Sequence, residues 1–81
     1  MNAGEIESRV RKILAEITAD TGALELKPDV RIRDQLDLDS MDFLNFLIAV
    51  DEDLHVDIPE ADYPKLRSLN DIVGYIEARL P

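Results

Sequence analysis

The stretch Ser40-Met41-Asp42-Phe43-Leu44-Asn45-Phe46-Leu47-Ile48-Ala49-Val50-Asp51-Glu52-Asp53-Leu54 decides the fold. On a helical wheel at about 100° per residue, Phe43, Leu44, Phe46, Leu47, Ile48, Val50 and Leu54 cover an arc of roughly 200°. Asp42, Asn45, Ala49, Glu52 and Asp53 share a strip of roughly 100°. A helix apolar over so much of its circumference is buried on more than one side. The pattern predicts a central helix with a single polar strip left for solvent or a partner.

The elements on either side follow the same logic. Upstream, Ile6, Val10, Ile13, Leu14 and Ile17 mark one face of a helix from about residue 3 to about residue 20. Asn2 with Glu5 forms a capping box at its start, and Gly22 is the expected left-handed stop. Arg9, Arg11, Lys12 and Glu16 read as its solvated face. Downstream, Ile58 and Pro59 interrupt helical patterning within a loop from His55 to Ala61. Asp62 is placed to cap a short helix of one or two turns, with Pro64 near its start. Leu69, Ile72, Val73, Ile76 and Leu80 then set a last helix over about 69 to 80, opened by a Ser68/Asp71 capping box.

Residues 23 to 39 fit two patterns. Leu24, Leu26, Val30, Ile32, Leu36 and Leu38 alternate locally with polar residues, which suits two short strands around Pro28. A lone hairpin is marginal in water and no third strand is available, so a long ordered loop that drops its aliphatics onto the helices is preferred. A structureless connection of that length inside a small domain is uncommon, and it either counts against the assignment or signals function. The expectation is an all-α fold: a small four-helix bundle, three helices long and one short, with a long loop between the first and second. Residues 1–81 form one domain.

Composition narrows the function. Eighteen acidic residues against nine basic ones give 81 residues a formal net charge of −9. Such a surface repels phosphate backbones and anionic lipid, so nucleic acid and membranes are not expected partners and basic proteins are. A domain this small buries only about three fifths of its unfolded surface, which leaves little interior for a catalytic cavity. The absence of cysteine excludes disulfides, zinc-thiolate sites and thiol nucleophiles. No apolar run approaches the roughly 18 residues of a membrane span, and Met1-Asn2-Ala3-Gly4-Glu5 lacks the features of a signal peptide. A cytoplasmic monomer is expected.

Tests for chemistry are mostly negative. The one histidine, His55, lies fifteen residues beyond Ser40 on or near the same helix. At about 1.5 Å rise per residue the two are roughly 22 Å apart, so no Ser-His pair forms. Asp37, Asp39 and Asp42 suggest a calcium loop, but Asp42 stands at the sixth position and Ile48 at the twelfth, where glycine and glutamate are needed. The register from Asp51 reaches Asp62 but puts Val56 at the glycine position. No catalytic residue and no metal site is assigned. Gly4, Gly22 and Gly74 do not form a phosphate loop.

Two features remain. From Asp34 through Asp62 there are ten carboxylates and no lysine or arginine. They read either as a solvated acidic face or as a docking strip for basic partners. Asp51, Glu52 and Asp53 oppose the helix dipole at the end of the central helix, which favours the docking strip. The second feature is Ser40, at the first turn of that helix. It is either the N-cap or, if Asp39 caps, an outward hydroxyl at a helix start, where unpaired backbone N–H groups favour a phosphate ester.

At this point Leu36-Asp37-Leu38-Asp39-Ser40-Met41-Asp42 resembles the attachment motif of the acyl carrier protein family, in which an Asp-Ser-Leu triplet opens the second helix. The likeness continues through Phe43-Leu44-Asn45, Asp51-Glu52-Asp53, Ile58-Pro59 and Ser68-Leu69-Asn70-Asp71. It implies that Ser40 carries 4′-phosphopantetheine derived from coenzyme A. It also implies that the chain is not itself an enzyme but a shuttle holding acyl thioesters for fatty acid, polyketide or specialised pathways. Asp37, Asp39, Asp42, Asn45, Asp51, Glu52 and Asp53 would meet basic patches on a phosphopantetheinyl transferase and on acyl-loading and acyl-processing enzymes. Leu44, Leu47, Ile58 and Leu66 would line an acyl cleft, and the same residues are equally expected as ordinary core.

Three departures bear on the pathway. Asp37 replaces the usual glycine, Asn45 stands where glutamate is common, and Phe43 and Phe46 are bulky. Phe46, at the margin of the polar strip, either packs under the long loop or meets a partner. A specialised discrete carrier fits these departures at least as well as a housekeeping one. The alternative of another class is an unmodified acidic adaptor of the same fold.

Overall fold

The computed structural model describes residues 1–80. Four α-helices form: α1 (Ala3–Thr18), α2 (Ile32–Gln35), α3 (Ser40–Leu54) and α4 (Leu69–Glu77), with 3₁₀ turns at Thr21–Glu25 and Glu60–Lys65. No strand occurs among the described residues, and none of their helices is long and apolar enough to cross a membrane. Both expected capping boxes are present. The Asn2 side chain accepts from the Glu5 N–H at 2.8 Å, and the Ser68 hydroxyl accepts from the Asp71 N–H at 3.1 Å.

Several boundaries differ from expectation. Helix α1 stops at Thr18 because Ala19 takes the left-handed conformation with φ 54°. Gly22 is therefore not the stop. Its N–H is taken by the Asp20 carboxylate at 2.8 Å, and a Cβ there would lie 2.9 Å from that oxygen, so the glycine answers a close approach rather than a left-handed turn. The short third helix is a 3₁₀ turn capped at Pro59, not at Asp62. Helix α4 ends at Glu77, where its last turn tightens through Arg79 N–H to Ile76 O at 2.9 Å.

The loop between α1 and α3 is ordered by contacts distant in sequence. The Gln35 side chain accepts from the Lys27 N–H and donates to the carbonyls of Lys27 and Val30, at 2.8, 3.0 and 2.9 Å. The Arg11 guanidinium on α1 donates to the Leu24 carbonyl at 3.1 Å. Leu26, Ile32 and Leu38 reach the core as the loop reading expects, joined by Ala23, but Leu24 is 48% exposed and the segment is not a plain loop, since the Thr21–Glu25 turn and α2 lie within it.

The hub is α1, which packs against both α3 and α4, so α3 is not the central helix. One flank of α3, through Phe46, Val50 and Leu54, is buried in the common core. Phe46 is 0% exposed, which makes it a packing residue and corrects its alternative as a partner contact. The wheel also misplaced Ile48, which is 41% exposed, because being apolar does not supply a neighbour to cover it.

Candidate functional site

The site forms where the loop enters α3. Leu38, nearly buried, anchors the approach, and the next two residues compete for the cap. Asp39 wins: its backbone is extended and its Oδ1 accepts from the Asp42 N–H at 2.7 Å. Ser40 is thus the first helical residue, exposed, and released from capping. Both residue types are good caps, so the extended backbone at Asp39 makes the choice.

Ser40, Phe43, Leu44 and Leu47 recur at helical spacing and line one groove of about 650 Å³. Leu38, Tyr63, Pro64 and Leu66 contribute further apolar walls, while Arg31, Arg33, Asp34 and Arg67 supply the charged part. Of the four residues expected in an acyl cleft, Leu44, Leu47 and Leu66 are brought together here. Ile58 does not line the groove; Leu47 and Leu66 border it but, at 0% and 1% exposed, are core residues as Ile58 is, so of the four only the half-buried Leu44 offers surface to an occupant. Phe43 was detectable from its spacing to Ser40 and Leu47. The arginines were not, because Arg67 joins Arg31 and Arg33 only in the fold.

The wall carrying Tyr63, Pro64 and Leu66 is held to α4 through Asp62. The Tyr75 hydroxyl donates to Asp62 Oδ2 at 2.6 Å, and Lys65 Nζ lies 3.3 Å from Oδ1. The Arg79 guanidinium stacks 3.4 Å over the Tyr75 ring. The Tyr75 hydrogen bond, followed by that from Lys65, holds the Asp62 carboxyl below its ordinary value of 3.8. Burial, then the Asp62 hydrogen bond, pushes the Tyr75 phenol up, and burial first raises Tyr63 as well.

The acidic residues separate into two groups. Asp51 is half-buried and its Oδ2 accepts from the Ile58 N–H at 2.9 Å, which fixes the chain after α3. Asp53 pairs with Arg9 of α1 at 2.8 Å, an exposed bridge of little energetic weight. Asp37, Asp42, Asn45 and Glu52 are exposed. Met41, 63% exposed, and Ile48 lie on the same outward strip of α3, which is wider than the wheel assigned. His55 is an exposed, left-handed C-cap at φ 55°.

An outward hydroxyl on the first turn of a helix can accept an acyl or phosphoryl group from an enzyme. The groove beside it can shelter what is attached. Comparison with known proteins gives the family. The model of a family described as the phosphopantetheine attachment site matches residues 8–76. The chain is 32% identical over 72 residues to an acyl carrier protein of Helicobacter hepaticus, covering 89% of this chain and 92% of that one. An acyl carrier protein from Enterococcus faecalis shares the fold, with a TM-score of 0.80 at 24% identity over 99% of this chain and 100% of that one.

Proposed function

This chain belongs to the acyl carrier protein family, whose members carry phosphopantetheine, and on that premise we propose that Ser40 is the attachment residue and that residues 1–81 act as one carrier domain. The observation that carries the assignment is the transfer of capping to Asp39, which leaves Ser40 exposed at the mouth of an apolar groove. The residues present suit such a group: a hydroxyl at a helix start to bear its phosphate, and the half-buried Phe43, Leu44 and Tyr63, backed by Leu47 and Leu66, to shield an apolar cargo. In modification the Ser40 oxygen forms a phosphodiester bond with the phosphopantetheine phosphate of coenzyme A, whose adenosine bisphosphate portion departs as the bond to it breaks. When attached, the group supplies a thiol on which acyl units are held as thioesters.

The chain's own contribution is presentation. It has no catalytic machinery of its own and acts as a monomer in the cytoplasm. Asp37, Asp42, Asn45 and Glu52, with Met41 and Ile48 between them, offer basic patches of a phosphopantetheinyl transferase and of acyl-processing enzymes a mixed acidic and apolar strip. Asp37 and Asn45 favour a specialised acyl pathway over the housekeeping fatty acid role. Incubation with a phosphopantetheinyl transferase, coenzyme A and magnesium is expected to add one phosphopantetheine per chain by intact mass, and Ser40→Ala to add none. No addition with several transferases, together with loss of partner binding only on charge reversal at Asp42 and Glu52, would instead establish the unmodified adaptor.

A further inference from the structure

The groove beside Ser40 has the wrong charge for this molecule. The chain carries −9 overall and no base between Asp34 and Asp62, yet three arginines, Arg31, Arg33 and Arg67, line the groove against one carboxylate, Asp34. The Ile32 N–H donates to the Arg67 carbonyl at 2.9 Å, so a backbone bond whose donor lies between Arg31 and Arg33 draws all three together. A second bond, Asn70 N–H to Pro28 O at 3.0 Å, holds the same two segments.

Their side chains are unequally committed. Arg31 donates to Asp34 at 3.0 Å, and Arg67 uses its Nε on the Pro64 carbonyl at 3.0 Å, leaving both terminal nitrogens. Arg33 has no side-chain partner among the described residues. All three are exposed at the groove's rim, so a purely hydrocarbon occupant would leave them paired with water alone. A carboxylate would accept their hydrogen bonds, in the geometry arginine matches best.

Building on the reading of Ser40 as the attachment point, we propose that the groove receives an acyl chain bearing a carboxylate remote from its thioester, with the anion held by Arg33 and Arg67 and the methylenes on the half-buried Phe43, Leu44 and Tyr63. The arm's own phosphate is the weaker candidate. It would sit at Ser40 beside Asp39 and Asp42, whereas the arginines come from segments other than α3. The groove follows α3 from Ser40 to Leu47, about 10 Å, which suits a chain rather than a single anion.

The test uses the phosphopantetheinylated protein loaded with octanoyl, with the eight-carbon diacid suberoyl, or with suberoyl half methyl ester. Thioester cleavage by hydroxylamine is timed and normalised to the same thioesters on free pantetheine, and arginine Nε–H resonances are followed by NMR. One charge-assisted hydrogen bond predicts about tenfold slower cleavage of the suberoyl protein than of the half ester at low salt. Arg33→Gln and Arg67→Gln, alone and together, should erase that difference, while thermal melts report whether each variant is folded. Equal cleavage of the diacid and half ester, or an undiminished difference in folded variants, overturns the proposal. So does an arginine shift already complete in the unacylated protein, which would assign these side chains to the arm's phosphate. Failure of Ser40 to accept the arm appears in the intact mass before any acyl group is compared, and so overturns the earlier reading separately.

Discussion

Asp51 gives the sharpest test of which acids stabilise the fold and which address partners. Its carboxylate accepts the N–H of Ile58, a residue only 4% exposed, at 2.9 Å. Asp51→Ala leaves that N–H without its acceptor, and a bond to an ionised acceptor is worth about 1.5–3 kcal/mol. Removing a negative charge from the last turn of α3 returns about 0.3–1 kcal/mol through the helix dipole, so the hydrogen bond dominates and the net loss is about 1–2 kcal/mol. For a domain of this size that lowers the melting midpoint by roughly 5–15 °C. Asp51→Asn keeps an oxygen acceptor while losing the charge, and should fall by less than half as much. Thermal melts of both variants, paired with the rate of Ser40 modification, separate the roles. Destabilisation graded Ala over Asn, with modification rates near those of the parent in the folded protein, is the expected pattern. Equal melting midpoints for all three proteins, with modification slowed equally in both variants, would refute the structural role and return Asp51 to the docking strip.

Two further outcomes follow from local geometry. Gly74 lies inside α4 with open space around the position of a Cβ, so Gly74→Ala should stabilise the protein by about 0.5–1 kcal/mol in urea denaturation, with an unchanged m-value. Asp62 protonates less readily in the fold than its ordinary value of 3.8, chiefly because of the Tyr75 hydrogen bond. Its contribution is therefore complete above the ordinary carboxylate value and is lost as pH falls through the lower folded value. Stability measured from pH 6 downward should drop less steeply on that acid limb in Asp62→Asn than in the parent; identical limbs would show that the Tyr75 bond does not couple to folding.

Elements governed by neighbours in sequence were legible, and those governed by contacts across the fold were not. The Asn2/Glu5 and Ser68/Asp71 boxes each lie within one helical turn, and both helix starts follow from them. The stop of α1 at Ala19 involves no special residue, so Gly22 placed the left-handed stop three residues late and the helix end, expected near residue 20, about two. Periodicity identified α3 but could not say what covers it: Ile48 and Phe46 are both apolar, yet only Phe46 meets the core. The order of the long loop rests on Gln35, whose side chain closes on Lys27 and Val30 without any signature in composition. The same limit hid the groove's arginines, joined by a bond between residues 32 and 67.

The distribution of acid therefore has a different meaning from the one that the opposed helix dipole suggested. Two of the three carboxylates at the end of α3 have partners: Asp51 holds the loop and Asp53 reaches Arg9. The placement of Asp51 against the dipole is explained by the loop it holds, whereas the exposed bridge of Asp53 is too weak to explain its own. What remains exposed without a structural partner is a narrower strip, Asp37, Asp42, Asn45 and Glu52, beside the exposed side chains of Met41 and Ile48, while Asp39 and Asp53 are exposed but engaged in the cap and in the Arg9 bridge. A strip of that kind offers both long-range attraction and a small apolar contact, so charge governs approach more than final affinity. The groove meets α3 along the stripe from Ser40 to Leu47 and has the opposite sign, supplied by Arg31, Arg33 and Arg67. A carrier needs two discriminations that do not interfere, one among enzymes and one among cargoes. Separating them by sign on two faces of one helix, with Ser40 at the end that both share, lets an enzyme be attracted to the acidic face while an anionic cargo is drawn to the basic one.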